Sequence, residues 1–298
     1  MAATSSAATP ARSRPHNIGH SAGAPTRAEV MPKASAENFT VATLLLPTSK
    51  RRSMLGIYGF ARLVDDAGDE AAGDRTALLD WLEADVGRMF DGVAIHPLLR
   101  RLAPAVREHG LPRGPFLRLV AANRQDQEVS RYATYEELAA YCNLSANPVG
   151  ELVLHVFAAA TPDRVALSDS VCTALQLAEH WQDVGEDFRR GRIYLPLEEM
   201  ERFGVTEGDL DGGTASPVLK ELLAFEIDRA RQLLDRGVEL VRSLSGIAQL
   251  AVAGYVGGGR SALDAIEASD YDVLRAAPKA ARGSRLAATA RVLLEARR

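Results

Sequence analysis

Residues 54–64 are apolar nearly all round, with Leu55, Ile57, Tyr58, Phe60, Ala61 and Leu63 leaving no continuous polar stripe. Such a helix must be enclosed by other helices, because a surface helix keeps one face polar. The chain supplies the enclosure. Leu78, Leu79, Leu82, Val86 and Met89 form one amphipathic stripe; Leu98, Leu99, Leu102 and Val106 form another, and Phe116, Leu117 and Val120 a third. Val41, Leu44 and Leu45 recur at helical spacing upstream until Pro47 ends the run. A long segment over residues 135–159 is interrupted at 145–150, where Pro148 predicts a kink. Further helices are predicted over about 169–188, 217–244 and 247–267. No alternating strand of useful length, Gly-rich phosphate loop or internal repeat is present. With short linkers throughout, the expectation is all-α, a single helical domain over residues 36–298.

In a chain of 298 residues, a hydrophobic share of 47% is enough for a large core. The net charge of −4 gives no footprint for nucleic acid. Cys142 and Cys172 lack metal spacing and read as buried thiols of a reducing compartment, so the expected location is cytoplasmic. No apolar run reaches the roughly 18 residues of a spanning helix. Residues 1–35, rich in Ala, Ser, Thr, Pro and Gly, cannot repay their ordering entropy and read as a disordered tail.

Two acidic stretches carry the chemistry. In residues 58–70, Tyr58, Arg62, Asp65 and Asp69 fall on one helical face. The Asp65–Asp69 pair, at i,i+4, costs a few tenths of a kcal/mol in an isolated helix. Carboxylates also sit badly at a helix C-terminus, where the macrodipole is negative. In the second stretch Gln176, Glu179, Asp183 and Asp187 share a stripe, with Glu186 beside them and Arg189, Arg190, Arg192 and Tyr194 following. A divalent cation reverses both penalties. Oxygen ligands from facing helices suit Mg²⁺, which takes one or two carboxylates per ion plus water and phosphate oxygens. Either stripe alone could be a solvated acidic helix end. Two, each with Arg and Tyr at matching distance, make a specific pair.

Both stretches resemble the paired aspartate motifs of the squalene/phytoene synthase family, with Tyr58 and Arg62 ahead of the first and residues 192–196 (Arg-Ile-Tyr-Leu-Pro) behind the second. Residues 37–39, the 141–150 stretch from Tyr141 to Gly150, and Trp181-Gln182-Asp183-Val184 further resemble the bacterial hydroxysqualene synthases of the hopanoid route. The resemblance implies an isoprenoid synthase bundle around a central hydrophobic cavity and Mg²⁺-dependent ionisation of a prenyl diphosphate. In the hydroxysqualene group, water captures the cation formed from presqualene diphosphate. The implied metal ligands are Asp65, Asp69, Asp183, Asp187 and Glu186. The implied catalytic residues are Tyr58, Arg62, Tyr141, Arg192 and Tyr194. Substrate contacts fall to Phe39, Arg62, Asn147, Gln176, Glu179, Arg192 and Tyr255. Position 179 is Glu where the family usually has Asn, and Gly68 stands where a larger residue is common.

Plain packing competes with a site role for Tyr255 and Phe39, and a surface role for Arg192. His180 points off the second stripe and reads as structural. Di-iron carboxylate bundles need Glu-x-x-His pairs, which this chain lacks. The basic amphipathic run 285–298 reads first as a helix packed on the bundle, and second as a peripheral contact with an anionic membrane. Partnership with the other enzymes of the squalene route follows from the resemblance alone. A head-to-head condensing enzyme is the alternative function. A non-catalytic assembly or lipid-binding member ranks last, because the four aspartates are intact.

Overall fold

The computed structural model describes residues 23–30 and 46–298. Phe39, the 37–39 stretch and the apolar repeat at 41–45 lie outside the described residues. Fourteen helices are described: α1 (Arg27–Val30), α2 (Thr48–Asp69), α3 (Arg75–Phe90), α4 (Pro97–His109), α5 (Arg113–Gln125), α6 (Tyr135–Ser145), α7 (Asn147–Val156), α8 (Pro162–Gln182), α9 (Val184–Arg189), α10 (Leu197–Phe203), α11 (Glu207–Leu210), α12 (Pro217–Ser243), α13 (Gly246–Ala268) and α14 (Arg282–Glu295). Among the described residues extended pairing is limited to one isolated bridge, Arg131 with Ile193. The architecture is all-α, as expected.

Helix starts follow local chemistry. Thr161 and Ser216 cap α8 and α12 through their side chains, each followed by Pro at the first helical position, where a missing N–H costs nothing. The apolar 54–64 segment lies inside α2, which packs against α3, α4, α5 and α7. Phe60, fully buried, meets Phe116 of α5 edge-on at 5.1 Å between ring centres. This first apolar cluster is built from α2–α5 and α7. A second, around Trp181, Leu222, Ile227 and Leu263, is built mainly from α6, α8, α12 and α13, and Phe157 packs against both.

Two expectations about helices are corrected. Pro148 does not kink a continuous helix. The chain breaks at Ala146 (φ −114°, ψ −48°), and Pro148 sits in the first turn of α7, where it displaces no hydrogen bond. Nor does one helix span 169–188: α8 starts earlier, at Pro162, and stops at Gln182, with Asp183 (φ −104°, ψ 12°) as the joint to α9. The segment after α13 lies across this joint. A Cβ at Gly185 would stand 2.3 Å from the Leu274 carbonyl oxygen, so only glycine admits the contact. Arg189 Nη1 donates to that carbonyl at 3.1 Å, and Gln182 donates to the Pro278 carbonyl. The short α10 and α11 have no apolar periodicity long enough to be read. Helix α1 falls within the stretch read as a tail.

Candidate active site

The last two turns of α2 sort their carboxylates by partner. Asp66, almost fully buried, is ion-paired with Arg62 Nε at 3.0 Å, and Arg62 Nη2 reaches Glu70 at 3.7 Å. Arg62 therefore has an aspartate partner one turn on, Asp66, rather than Asp65 or Asp69. Asp69, half exposed, accepts from Arg192 Nη2 at 2.7 Å. Asp65 receives an amide: Asn123 Nδ2 donates to its Oδ1 at 3.2 Å. Burial pushes Asp65 up to about 7, Asp69 and Asp126 adding to the rise against the lowering effects of Asn123 and Arg62. Tyr58 is buried one turn before Arg62.

The second motif straddles the α8–α9 joint. Gln176 and Glu179 are on α8, and Asp187 is on α9, its N–H donating to the Asp183 carbonyl at 2.8 Å. Asp183 is raised by burial and by Glu186, and Asp187 is pushed up to about 7 by burial and by Asp183. Glu186 is exposed and ion-paired with Arg190 at 2.7 Å, and Glu179 is also exposed. Arg192 is fixed by its neighbours: the Ile193 N–H donates to the Ser130 carbonyl at 2.9 Å, and Leu197 N–H to the Tyr132 carbonyl at 3.0 Å. From there Arg192 holds Asp69 directly and lowers the pKa of Asp126 and Asp187 by its charge, so one cation serves both motifs.

Beside Arg192 stands a buried aromatic wall. Tyr194 stacks on His180 with ring centres 3.7 Å apart and planes at 13°, and Tyr141 lies 6.0 Å from Tyr194 and 5.4 Å from Tyr132. His180 is pushed down to about 3 by burial and by Arg192, so it is neutral at physiological pH. Its Nε2 lies 3.3 Å from Gln176 Nε2. Tyr141 Oη donates to Asp126 Oδ2 at 2.9 Å. The other oxygen of Asp126 is buried without a hydrogen-bond partner among the described residues, and burial lifts this carboxyl to about 6. A small pocket is lined by His180, Asp187, Arg192 and Tyr194.

Arg62, Asp65, Asp69, Asp187, Arg192, Tyr141 and Tyr194 are thus brought into one region. Asn147 is buried and accepts from Thr173 Oγ1 at 3.0 Å, a tie between α7 and α8. Tyr255 packs against the first apolar cluster. Asp66, Asn123, Asp126, Tyr132 and His180 were not singled out from sequence as site residues. The polar run 123–127 closing the apolar helix α5 was the available signal for Asn123 and Asp126.

The donor set fits a hard divalent cation. It is all oxygen, and burial with like-charged neighbours lifts Asp65 and Asp187 to about 7, the mark of a site short of positive charge. Among the described residues no three acidic, imidazole or thiol groups converge on a point. Mg²⁺ itself takes one or two carboxylates, with water and substrate oxygens completing its shell. Asp65, Asp69, Asp183 and Asp187 are the residues that would hold it.

The family model for squalene/phytoene synthase matches residues 32–286. The chain is 35% identical over 252 residues to a 15-cis-phytoene synthase of Synechocystis, an alignment covering 80% of this chain and 75% of that one. Its fold is similar to that of a squalene synthase HpnC from Alicyclobacillus acidocaldarius, with TM-score 0.76 and 41% identity over 81% of this chain and 92% of the other. It is also similar to a dehydrosqualene synthase solved with a ligand, with TM-score 0.79 and 26% identity over 87% and 92% of the two chains. With a helical bundle that brings two aspartate motifs to one arginine, the chain belongs to the squalene/phytoene synthase family.

Proposed function

We propose that this protein converts presqualene diphosphate and water into hydroxysqualene and diphosphate. The observation that carries the reading is Arg192, placed between Asp69 of the first motif and Asp187 of the second and beside the Tyr141–Tyr194–His180 wall. The 41% identity to a squalene synthase HpnC supports a reaction on the squalene side of the family.

In this reading the C–O bond to diphosphate breaks with its electron pair on the leaving group. Arg192 exchanges Asp69 for diphosphate oxygens, a charge-assisted fork suited to phosphate. Asp65, Asp69, Asp183 and Asp187 would hold Mg²⁺, which would supply further charge neutralisation to the leaving group. The Tyr141 ring offers its π electrons to the carbocation, Tyr194 is held behind it by stacking on His180, and neutral His180 adds no opposing charge. Tyr141 donates its own proton to Asp126, leaving its oxygen lone pairs to accept from the attacking water. As the new C–O bond forms, the water proton passes to Tyr141 and that of Tyr141 to Asp126.

The phytoene synthase relatives favour a second reading, head-to-head condensation of two prenyl diphosphates. Separate incubations with presqualene, farnesyl and geranylgeranyl diphosphates, read by mass spectrometry, distinguish the two. Peripheral membrane contact belongs to the proposal as well: α14, which carries Arg282, Arg285 and Arg291, turns Leu286 and Leu294 to solvent. No helix among the described residues is long and apolar enough to cross a membrane.

A further inference from the structure

Asn123 is 5% exposed, and both hydrogens of its amide are committed. Nδ2 donates to the Leu119 carbonyl of its own helix and to Asp65 Oδ1, each at 3.2 Å. Its Oδ1 lies over Gly68: a Cβ built there would stand 2.4 Å from Oδ1, 3.2 Å from Cγ and 3.3 Å from Cβ of Asn123. Gly68 cannot gain even a methyl group without displacing the Asn123 amide. Gln127, one turn on, donates from Nε2 to the Gly68 carbonyl at 3.1 Å and to the Asn123 carbonyl at 2.9 Å, bracing the crossing of α5 over the end of α2.

Partner type gives this crossing its meaning. Of the aspartates ending α2, Asp66 and Asp69 hold guanidinium groups within 3.0 Å, whereas Asp65 is held by a neutral amide. An arginine at that place would orient the carboxylate but cancel its charge. An amide fixes one oxygen and leaves the negative charge, and the second oxygen, for a cation. Outer partners of metal-binding carboxylates act in this way.

We infer that Asn123 is a positioning residue for the metal-binding carboxylate of Asp65, and that Gly68 is the space that lets it reach there. The inference rests on the proposed role of Asp65 as a metal ligand. The glycine at 68, odd when the helix is read alone, becomes one half of a pair with Asn123.

The test is Mn²⁺ binding in the presence of inorganic diphosphate, followed by electron paramagnetic resonance, on the full chain and three variants. Asp65→Asn tests the underlying reading: loss of a Mn²⁺ site there supports it, and unchanged binding removes the metal role of Asp65. Asn123→Ala tests the inference itself. The expected result is a loss of about 10–100-fold in Mn²⁺ affinity, and a half-saturating Mg²⁺ concentration for activity that rises by more than kcat falls. Gly68→Ala displaces the Asn123 amide without removing it and should share the defect. Adding Asn123→Ala to Gly68→Ala should cost nothing further, because the methyl then occupies the space vacated by the amide. Wild-type Mn²⁺ affinity in either folded single variant, with Asp65→Asn defective, overturns the role of Asn123 while leaving that of Asp65 intact.

Discussion

Arg192 Nη2 stands 2.7 Å from Asp69 Oδ1, an ion pair between residues 123 positions apart in the chain. Both partners are partly exposed, at 24% and 45%. Exposed pairs contribute only about 0–1 kcal/mol to stability, so the pair is poorly explained as a fold-holding device. Arg192→Gln should leave the melting temperature within a few degrees and lower kcat/KM by about 100-fold or more, the scale of losing a charge-stabilising donor. Arg192→Lys should fall in between, because ammonium keeps the charge but loses the fork. Thermal denaturation and steady-state kinetics on the same preparations check both effects. A large loss of stability with little loss of kcat/KM would make the pair architectural.

Asp65→Asn should abolish turnover without destabilising the metal-free protein near pH 8. The sign follows from the raised carboxyl. A group lifted from 3.8 to about 7 in the folded state binds more protons there than in the unfolded chain between those values. Its contribution therefore weakens stability as pH rises through that window, and asparagine removes the penalty. Thermal melts of both proteins at pH 5 and pH 8 measure it; a mutant less stable than wild type at pH 8 would oppose this account of Asp65.

Activity should require a hard divalent ion and compete with protons for it. EDTA should stop turnover and Mg²⁺ restore it, with no comparable rescue by Zn²⁺. Asp65 and Asp187, each near 7 without metal, must be deprotonated to bind. The Mg²⁺ concentration for half activity should rise as pH falls below about 7 and level off above it. A flat Mg²⁺ requirement between pH 6 and 8 would contradict these shifts.

Much of the fold was legible because it rests on local periodicity. The apolar ring of residues 54–64 is the interior of α2, and the bounds of α12 and α13 lie within a residue or two of those read from sequence. The breaks at Ala146 and Asp183 were less legible. Pro148 is compatible with a kink or a fresh helix start, and the Asp183 joint depends on Leu274, far along the chain. The site was legible in its charged residues at helical spacing, and illegible where one helix crosses another. That α5 and its C-cap deliver Asn123 to Asp65 and Asp126 to Tyr141 is tertiary information, whereas the pairing of Arg62 with Asp66 is local, at i,i+4, and was open to a spacing argument. His180 looked structural by its angle from the acidic stripe, yet it stacks on Tyr194, which arrives from the loop after α9.

The carboxyl of Asp126 should govern product more than ionisation. Asp126→Asn keeps the shape beside Tyr141 but removes the proton acceptor. Diphosphate release should persist, since Asp65, Asp69, Asp183 and Asp187 are untouched, while the ratio of hydroxysqualene to diphosphate drops. Quantifying both products in wild type and variant gives that ratio; an unchanged value would remove Asp126 from the proton path.

Incubation with presqualene diphosphate and Mg²⁺ in ¹⁸O-labelled water, followed by mass spectrometry, tests the central claim most directly. The account predicts hydroxysqualene carrying one ¹⁸O atom and formed in step with diphosphate release. Failure to turn over presqualene diphosphate, with farnesyl or geranylgeranyl diphosphate instead joined into a longer product, would contradict it.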